Sequence, residues 1–106
     1  MTDRRASTAP VTRFVHARDQ HCTFPGCTRP AARCDLDHVR PFNHQRPEAG
    51  GPSTPDNLHA LCRRHHRMKT LGAWNVTRDE ATDTTTWTAP TGHRYETRPE
   101  RYPVAA

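Results

Sequence analysis

An α+β fold is predicted for this chain by three features. Short stretches of strand-like alternation flank a loop rich in proline and glycine. Two segments carry helical spacing. A threonine-rich C-terminal third is punctuated by turn residues. At 106 residues one domain is expected. Its hydrophobic fraction of 32% predicts a thin apolar core, since globular chains typically carry roughly 45–50%. Small chains of this kind need a metal, disulfides or oligomerisation to offset chain entropy.

Residues 1–9 are polar and expected to be disordered. A short helix follows, because Val11, Phe14 and Val15 recur at helical spacing, Pro10 suits a first turn, and Ser7 or Thr8 can cap it. From Cys34 to Val39 the chain alternates Cys34, Leu36 and His38 with Asp35, Asp37 and Val39, which predicts a strand ending at Pro41, with Asp37 and His38 on opposite faces. Residues 40–56 hold four prolines and Gly50–Gly51 and read as a long loop, a kind of segment that is often functional. Leu58–Leu61 suits a second strand, and Arg63–Thr70 a helix stopped near Gly72. Beyond it, Trp74, Val76, Thr84, Thr86, Trp87, Thr88, Tyr95 and Thr97 predict two or three antiparallel strands with turns near 79–83 and 90–92. Trp74, Trp87 and Tyr95 read as packing residues. The division expected is therefore 1–9, a central domain over 10–72, a hairpin over 73–98 packed on it, and a flexible tail over 99–106.

The net charge of +5 and a pI near 9.6 favour a polyanionic partner. No stretch approaches the roughly 18 apolar residues of a membrane helix, and MTDRRASTAP lacks a signal peptide's apolar segment, so a cytoplasmic, membrane-free protein is expected. In a reducing compartment, clustered cysteines bind metal more often than they pair. A secreted domain with two disulfides is the contrary reading.

Cys22 and Cys27, around the turn formers Pro25 and Gly26, pair with Cys62 and His65 as two short knuckles. Three thiolates and one imidazole suit tetrahedral Zn2+ with no open position, the mark of a structural site. Cys34 is a fifth soft ligand for four places. It reads as a compact strand residue, with substitution for another ligand as the alternative.

The same region interleaves a second set. Asp37 and His38, Asn57, and His66 fall in the order of a one-metal nuclease site. With the DH pair, the GG loop, NLHALC and CRRHHRMK, the stretch from Arg18 to about Lys69 resembles the HNH endonucleases of the ββα-metal (His-Me finger) fold. The wording RDQHCTFPGC and CRRHHRMK, followed by a Trp- and Thr-rich hairpin, is similar to the nuclease module at the C-terminus of a large actinobacterial repeat family, where it follows a long helical domain.

The resemblance implies a role for each matching residue. His38 is the general base, since an imidazole with an ordinary pKa near 6.5 can take a proton from water at neutral pH. Asp37 and His66 hold one divalent cation, Mg2+ or another such as Mn2+ or Ni2+, with substrate oxygens and waters completing its shell. Asn57 fixes the loop and orients the base. His65 and His66 then serve different metals, which a turn of about 100° between neighbouring helix positions permits; the exchanged assignment is the alternative. His59 is a candidate extra ligand, while His16, His21, His44 and His93 are expected to face solvent. Arg40, Arg63, Arg64, Arg67 and Lys69 are candidate phosphate contacts. The expectation is a zinc-stapled nuclease cutting DNA, double-stranded in the first instance, to 5′-phosphate and 3′-hydroxyl ends, acting alone, as a homodimer or with a helical domain. The rival is a non-catalytic zinc module that binds nucleic acid on the same scaffold.

Overall fold

A computed structural model describes residues 8–99. Helix α1 (Ala9–Asp19) begins where the Thr8 hydroxyl accepts the Val11 amide at 3.3 Å and Pro10 fills the first turn, and it ends at Gln20, whose φ is 65°. Of its apolar stripe Val15 is buried, while Phe14 remains 55% exposed. The disorder expected for residues 1–9 and the loose tail over 99–106 otherwise lie outside the described residues.

Polar clips from the end of α1 fix its place. The Arg18 guanidinium donates to the carbonyls of Pro55 and Leu58, both at 2.7 Å, and the Asp19 carboxylate accepts the Ala60 amide at 2.9 Å. These bonds hold the helix against β2 (Leu58–Leu61), which pairs antiparallel with β1 (Asp35–His38). Register places Asp37 opposite His59 and His38 opposite Leu58. Between the two strands the long loop closes through two short 3-10 turns, Pro47–Ala49 and Pro55–Asn57. Helix α2 (Arg63–Leu71) follows β2 directly and stops where the Gly72 amide bonds back to the Met68 carbonyl at 2.7 Å.

The C-terminal strands β3 (Asn75–Asp79), β4 (Thr84–Thr88) and β5 (Arg94–Thr97) form an antiparallel meander, its turns eased by Asp83 and Gly92 at positive φ. Trp87 on the central strand is fully buried. Its indole N–H donates to the Thr23 carbonyl at 3.1 Å, and its ring meets the edge of Phe24 with centroids 5.3 Å apart. Trp87, Val76, Leu61, Cys22 and Cys62 form one core cluster with Phe24, Cys27, Cys34 and Trp74 at its margin. The ββα unit and the meander therefore meet over the cysteine knuckle. Tyr95 departs from expectation: it lies on the edge strand, 46% exposed, and among the described residues its ring meets Trp74 in a tilted contact that leaves much of it uncovered. The chain is thus a small mixed domain of two helices and antiparallel strands. No helix of the described residues is long and apolar enough to cross a membrane.

Candidate active site

Two donor sets meet the start of α2, one at His65 and the other at His66. In the first, the donor atoms of Cys22, Cys27, Cys62 and His65 all lie within 4.8 Å of one another. His65 Nδ1 is 3.2 Å from the Cys62 sulfur and 3.6 Å from that of Cys22. A tetrahedral ion with Zn–S near 2.3 Å and Zn–N near 2.0–2.1 Å places its donors about 3.5–3.8 Å apart, so shifts of up to about 1 Å let the cluster hold a metal such as zinc.

Local structure explains the convergence. Gly26, at φ 78°, lets the first knuckle turn tightly enough for the Cys27 amide to reach the Phe24 carbonyl at 3.0 Å. Cys62 follows β2 and caps the start of α2, so His65 stands one turn along the helix from it. The Phe24 ring stacks on His65, with centroids 4.1 Å apart and planes 13° from parallel, and fixes the imidazole. Burial pushes the Cys22 thiol up. Burial also opposes ionisation of Cys62, yet the His65 and Arg64 amides at the helix start, with the neighbouring Cys22 and Cys27, hold its thiol below the ordinary value. Burial, and then the Arg64 charge, lower the His65 pKa and keep that ring neutral, as a metal ligand must be. Cys34 stands outside the four, its sulfur donating to the Pro30 carbonyl at 3.4 Å, and burial raises its thiol to about 11. All four cysteines are free thiols.

The second set lines an open cleft of about 700 Å³ whose walls include Asp37, His38, His66 and Lys69 with Leu36, Phe42 and Trp74. Asp37 Oδ1 is 3.3 Å from His66 Nε2. Two ligands of one octahedral cation at about 2.1 Å stand roughly 3.0 Å apart, and two of a tetrahedral one roughly 3.4 Å, so this pair fits a shared divalent ion. His66 Nδ1 meets Asp35 at 3.1 Å, the carboxylate–histidine arrangement that orients a metal-binding imidazole. The other Asp37 oxygen is engaged by His59 Nε2 at 2.8 Å and by the Lys69 ammonium. Burial alone would raise the Asp37 pKa, but the His59 and Lys69 hydrogen bonds and charges outweigh it and hold the carboxyl below the usual range. His59 is fully buried with both ring nitrogens engaged, Nδ1 lying 2.6 Å from the Thr23 hydroxyl.

Asp37 and His38 meet different partners, as their alternation implies, yet both edge the same cleft. His38 Nε2 lies 2.9 Å from the Ser53 hydroxyl across the loop, and Phe42 approaches its ring. Asn57 closes that loop. Its amide donates to the Arg40 and Pro52 carbonyls at 3.0 Å each, and its side-chain oxygen accepts the Arg40 amide at 2.9 Å. Gly51 is buried in the same closure, and a Cβ there would collide with the Arg40 carbonyl and the Asn57 amide. Asn57 therefore holds closed the loop that carries Ser53.

The structure thus gathers Asp37, His38 and His66, places Asn57 behind them, and sets His65 with the thiols. Among the basic residues, Lys69 turns inward to Asp37 and the His38 carbonyl. Arg63, Arg64 and Arg67 are exposed on α2, Arg63 reaching Asp35 at 3.3 Å, and Arg40 bonds the Gly50 carbonyl at 3.2 Å. His44 and His93 are exposed, while His21 Nδ1 lies 2.7 Å from the Cys22 carbonyl. Sequence reasoning missed Asp35, Ser53 and the part played by His59. Asp35 was discoverable, two residues from Asp37 on one strand face. His59 needed the register, and Ser53 needed the loop path.

Comparison with known proteins agrees with this geometry. Residues 20–71 match the family described as HNH endonuclease. Among curated proteins, the chain is 45% identical over 94 residues to the uncharacterized protein Rv3776 of Mycobacterium tuberculosis (strain ATCC 25618 / H37Rv), covering 87% of this chain and 17% of that one. It is also 45% identical over 93 residues to the uncharacterized protein Rv2100 of the same strain, covering 86% of this chain and 16% of the relative. The chain therefore spans about a sixth of the length of these relatives. No solved structure matches it.

Proposed function

Residues 20–71 of this chain belong to the HNH endonuclease family, and from that premise we propose that it is a metal-dependent endonuclease that hydrolyses DNA phosphodiester bonds. The observation that carries the reading is the placement of Asp37 Oδ1 and His66 Nε2, 3.3 Å apart, on the cleft that His38 also lines. His38 takes the proton of the attacking water on its imidazole, and the Ser53 hydroxyl at Nε2 holds the ring toward the cleft. Asn57 keeps the Ser53 segment closed against the strand. Asp37 and His66 would hold a divalent cation, which would supply Lewis-acid stabilisation of the charge developing on the phosphoryl oxygens and the departing 3′ oxygen. Asp35 keeps His66 in the orientation and tautomer that present Nε2. The exposure of Arg63, Arg64 and Arg67 on α2 and of Arg40 at the loop supports their reading as contacts to flanking phosphates.

The cysteine and histidine cluster takes structural Zn2+ in this reading, and the cleft takes Mg2+ or another divalent ion such as Mn2+ or Ni2+. A second reading has one observation in its favour. The Lys69 ammonium already compensates the Asp37 charge, which suits a non-catalytic zinc module binding nucleic acid on this scaffold with no cation in the cleft.

The deciding experiment is cleavage of supercoiled plasmid by zinc-loaded protein with Mg2+, Mn2+ or Ni2+, beside His38→Ala and a chelator control. Nicked or linear product that both controls abolish supports the nuclease. Folded, zinc-bound protein that shifts DNA yet converts none of it with any metal supports the binding module.

A further inference from the structure

The geometry points to His59 as a positioning residue for the catalytic metal: anchored on Thr23 of the cysteine knuckle, it holds one Asp37 oxygen so that the other, beside His66, faces the cation. The inference rests on the reading of Asp37 and His66 as metal ligands.

His59 is fully buried, so each ring nitrogen needs a partner. The Asp37 carboxylate can only accept, so Nε2 carries the hydrogen and donates to Oδ2 across 2.8 Å. Nδ1 pairs with the Thr23 hydroxyl 2.6 Å away, a group that can give or accept a hydrogen bond and so satisfies this nitrogen in either state of the ring. One ring orientation follows.

Thr23 is itself held on two sides. Its amide donates to the Ala60 carbonyl at 2.9 Å, and its carbonyl receives the Trp87 indole at 3.1 Å. It also follows the metal donor Cys22 in the chain. The knuckle and the meander therefore both bear on Asp37 through one imidazole. A carboxylate's terminal torsion is soft. Without His59, Lys69 alone would hold Oδ2, and a primary ammonium, which bonds in many directions, fixes orientation less well than a planar ring. The strand register, Asp37 opposite His59, is what brings the two side chains together.

The test titrates Mn2+ into the zinc-loaded protein and follows the free Mn2+ signal by electron paramagnetic resonance, with zinc content and circular dichroism measured on every variant. His59→Leu, which keeps the apolar volume and removes both hydrogen bonds, is expected to weaken Mn2+ binding by about 10–100-fold, the usual loss when a residue orienting a metal ligand is removed. His59→Gln, whose amide can donate to Asp37 and accept from Thr23, is expected to recover most of that loss. Thr23→Val is expected to fall between, and carries the test with His59→Gln if the leucine variant does not fold. Wild-type binding that Asp37→Ala abolishes and His59→Leu leaves unchanged overturns the role of His59 while the metal-ligand reading stands. Failure of the wild type to bind Mn2+ overturns both.

Discussion

The two donor sets are built from adjacent histidines, yet they differ in how many atoms they offer. His65 joins three sulfurs whose donor atoms all lie within 4.8 Å, a closed set with no place for a substrate. His66, the next residue, meets the carboxylates of Asp35 and Asp37, and one of the two Asp37 oxygens is already held by His59 and Lys69. The knuckle is overlaid by Phe24 and Trp87, whereas the second pair opens on a cleft. The helix capped by Cys62 turns one side chain to each environment. Closure stabilises a fold, and an open coordination shell permits chemistry. One element delivers both, because successive helical residues diverge by about 100°.

The largest way to break the contrast is to empty the closed set. Metal binding contributes on the order of 10 kcal/mol in small domains of this kind, and the buried apolar residues here are few. A strong chelator, or Cys62→Ser, is expected to abolish cooperative thermal unfolding by circular dichroism with loss of bound zinc. A chelator-resistant melt would refute the staple.

In the open set, His38→Ala is expected to keep the fold and DNA binding while lowering cleavage by about 10²–10⁴-fold, the usual contribution of a general base. Plasmid-cleavage rates beside a gel-shift titration check it. Parallel loss of binding would mean that His38 has a structural role instead.

Gly51→Ala sharpens the role of the loop. The added methyl meets the Arg40 carbonyl and the Asn57 amide, so the closure must shift. A stability loss of about 1–3 kcal/mol in urea unfolding is expected, with a larger proportional fall in cleavage because Ser53 moves from His38.

Acid exposes the difference through Asp37. Its folded pKa is depressed, so its contribution is fully present above the unfolded value near 3.9 and is lost as pH falls through the lower folded value. The wild-type excess in melting temperature over Asp37→Asn is therefore expected to shrink below about pH 4. An excess independent of pH would show that the carboxylate's charge is not what stabilises the fold.

The smallest effect lies on the outer face of α2. Replacing Arg64 and Arg67 with Ala is expected to weaken binding of all DNA sequences alike and reduce the slope of log affinity against log salt by about two. Measuring affinity across a salt series checks this, and an unchanged slope would place the DNA elsewhere.

Much of this was legible in order and spacing. Cys22 with Cys27, Cys62 with His65, and the sequence from Asp37 to His66 are local signals, since ligand types and turn formers recur at distances the backbone sets. The α2 limits were readable from Gly72, and the meander from its turns, because glycine and aspartate mark the positions where the chain reverses. Tyr95 was not legible: period-two alternation assigns a side to each residue but does not say whether anything covers that side.

The sequence by itself determined the α+β class, the candidate members of the two donor sets and the family resemblance, because each depends on residue type at short separation. Only the tertiary structure decided what those residues touch. It gave His65 to the thiols and His66 to the carboxylates, set His59 opposite Asp37, brought Asp35 to His66 and Ser53 to His38, and laid Trp87 over the knuckle. These pairings join residues up to 64 positions apart, and such contacts follow from strand register and the path of a long loop, which no local pattern encodes.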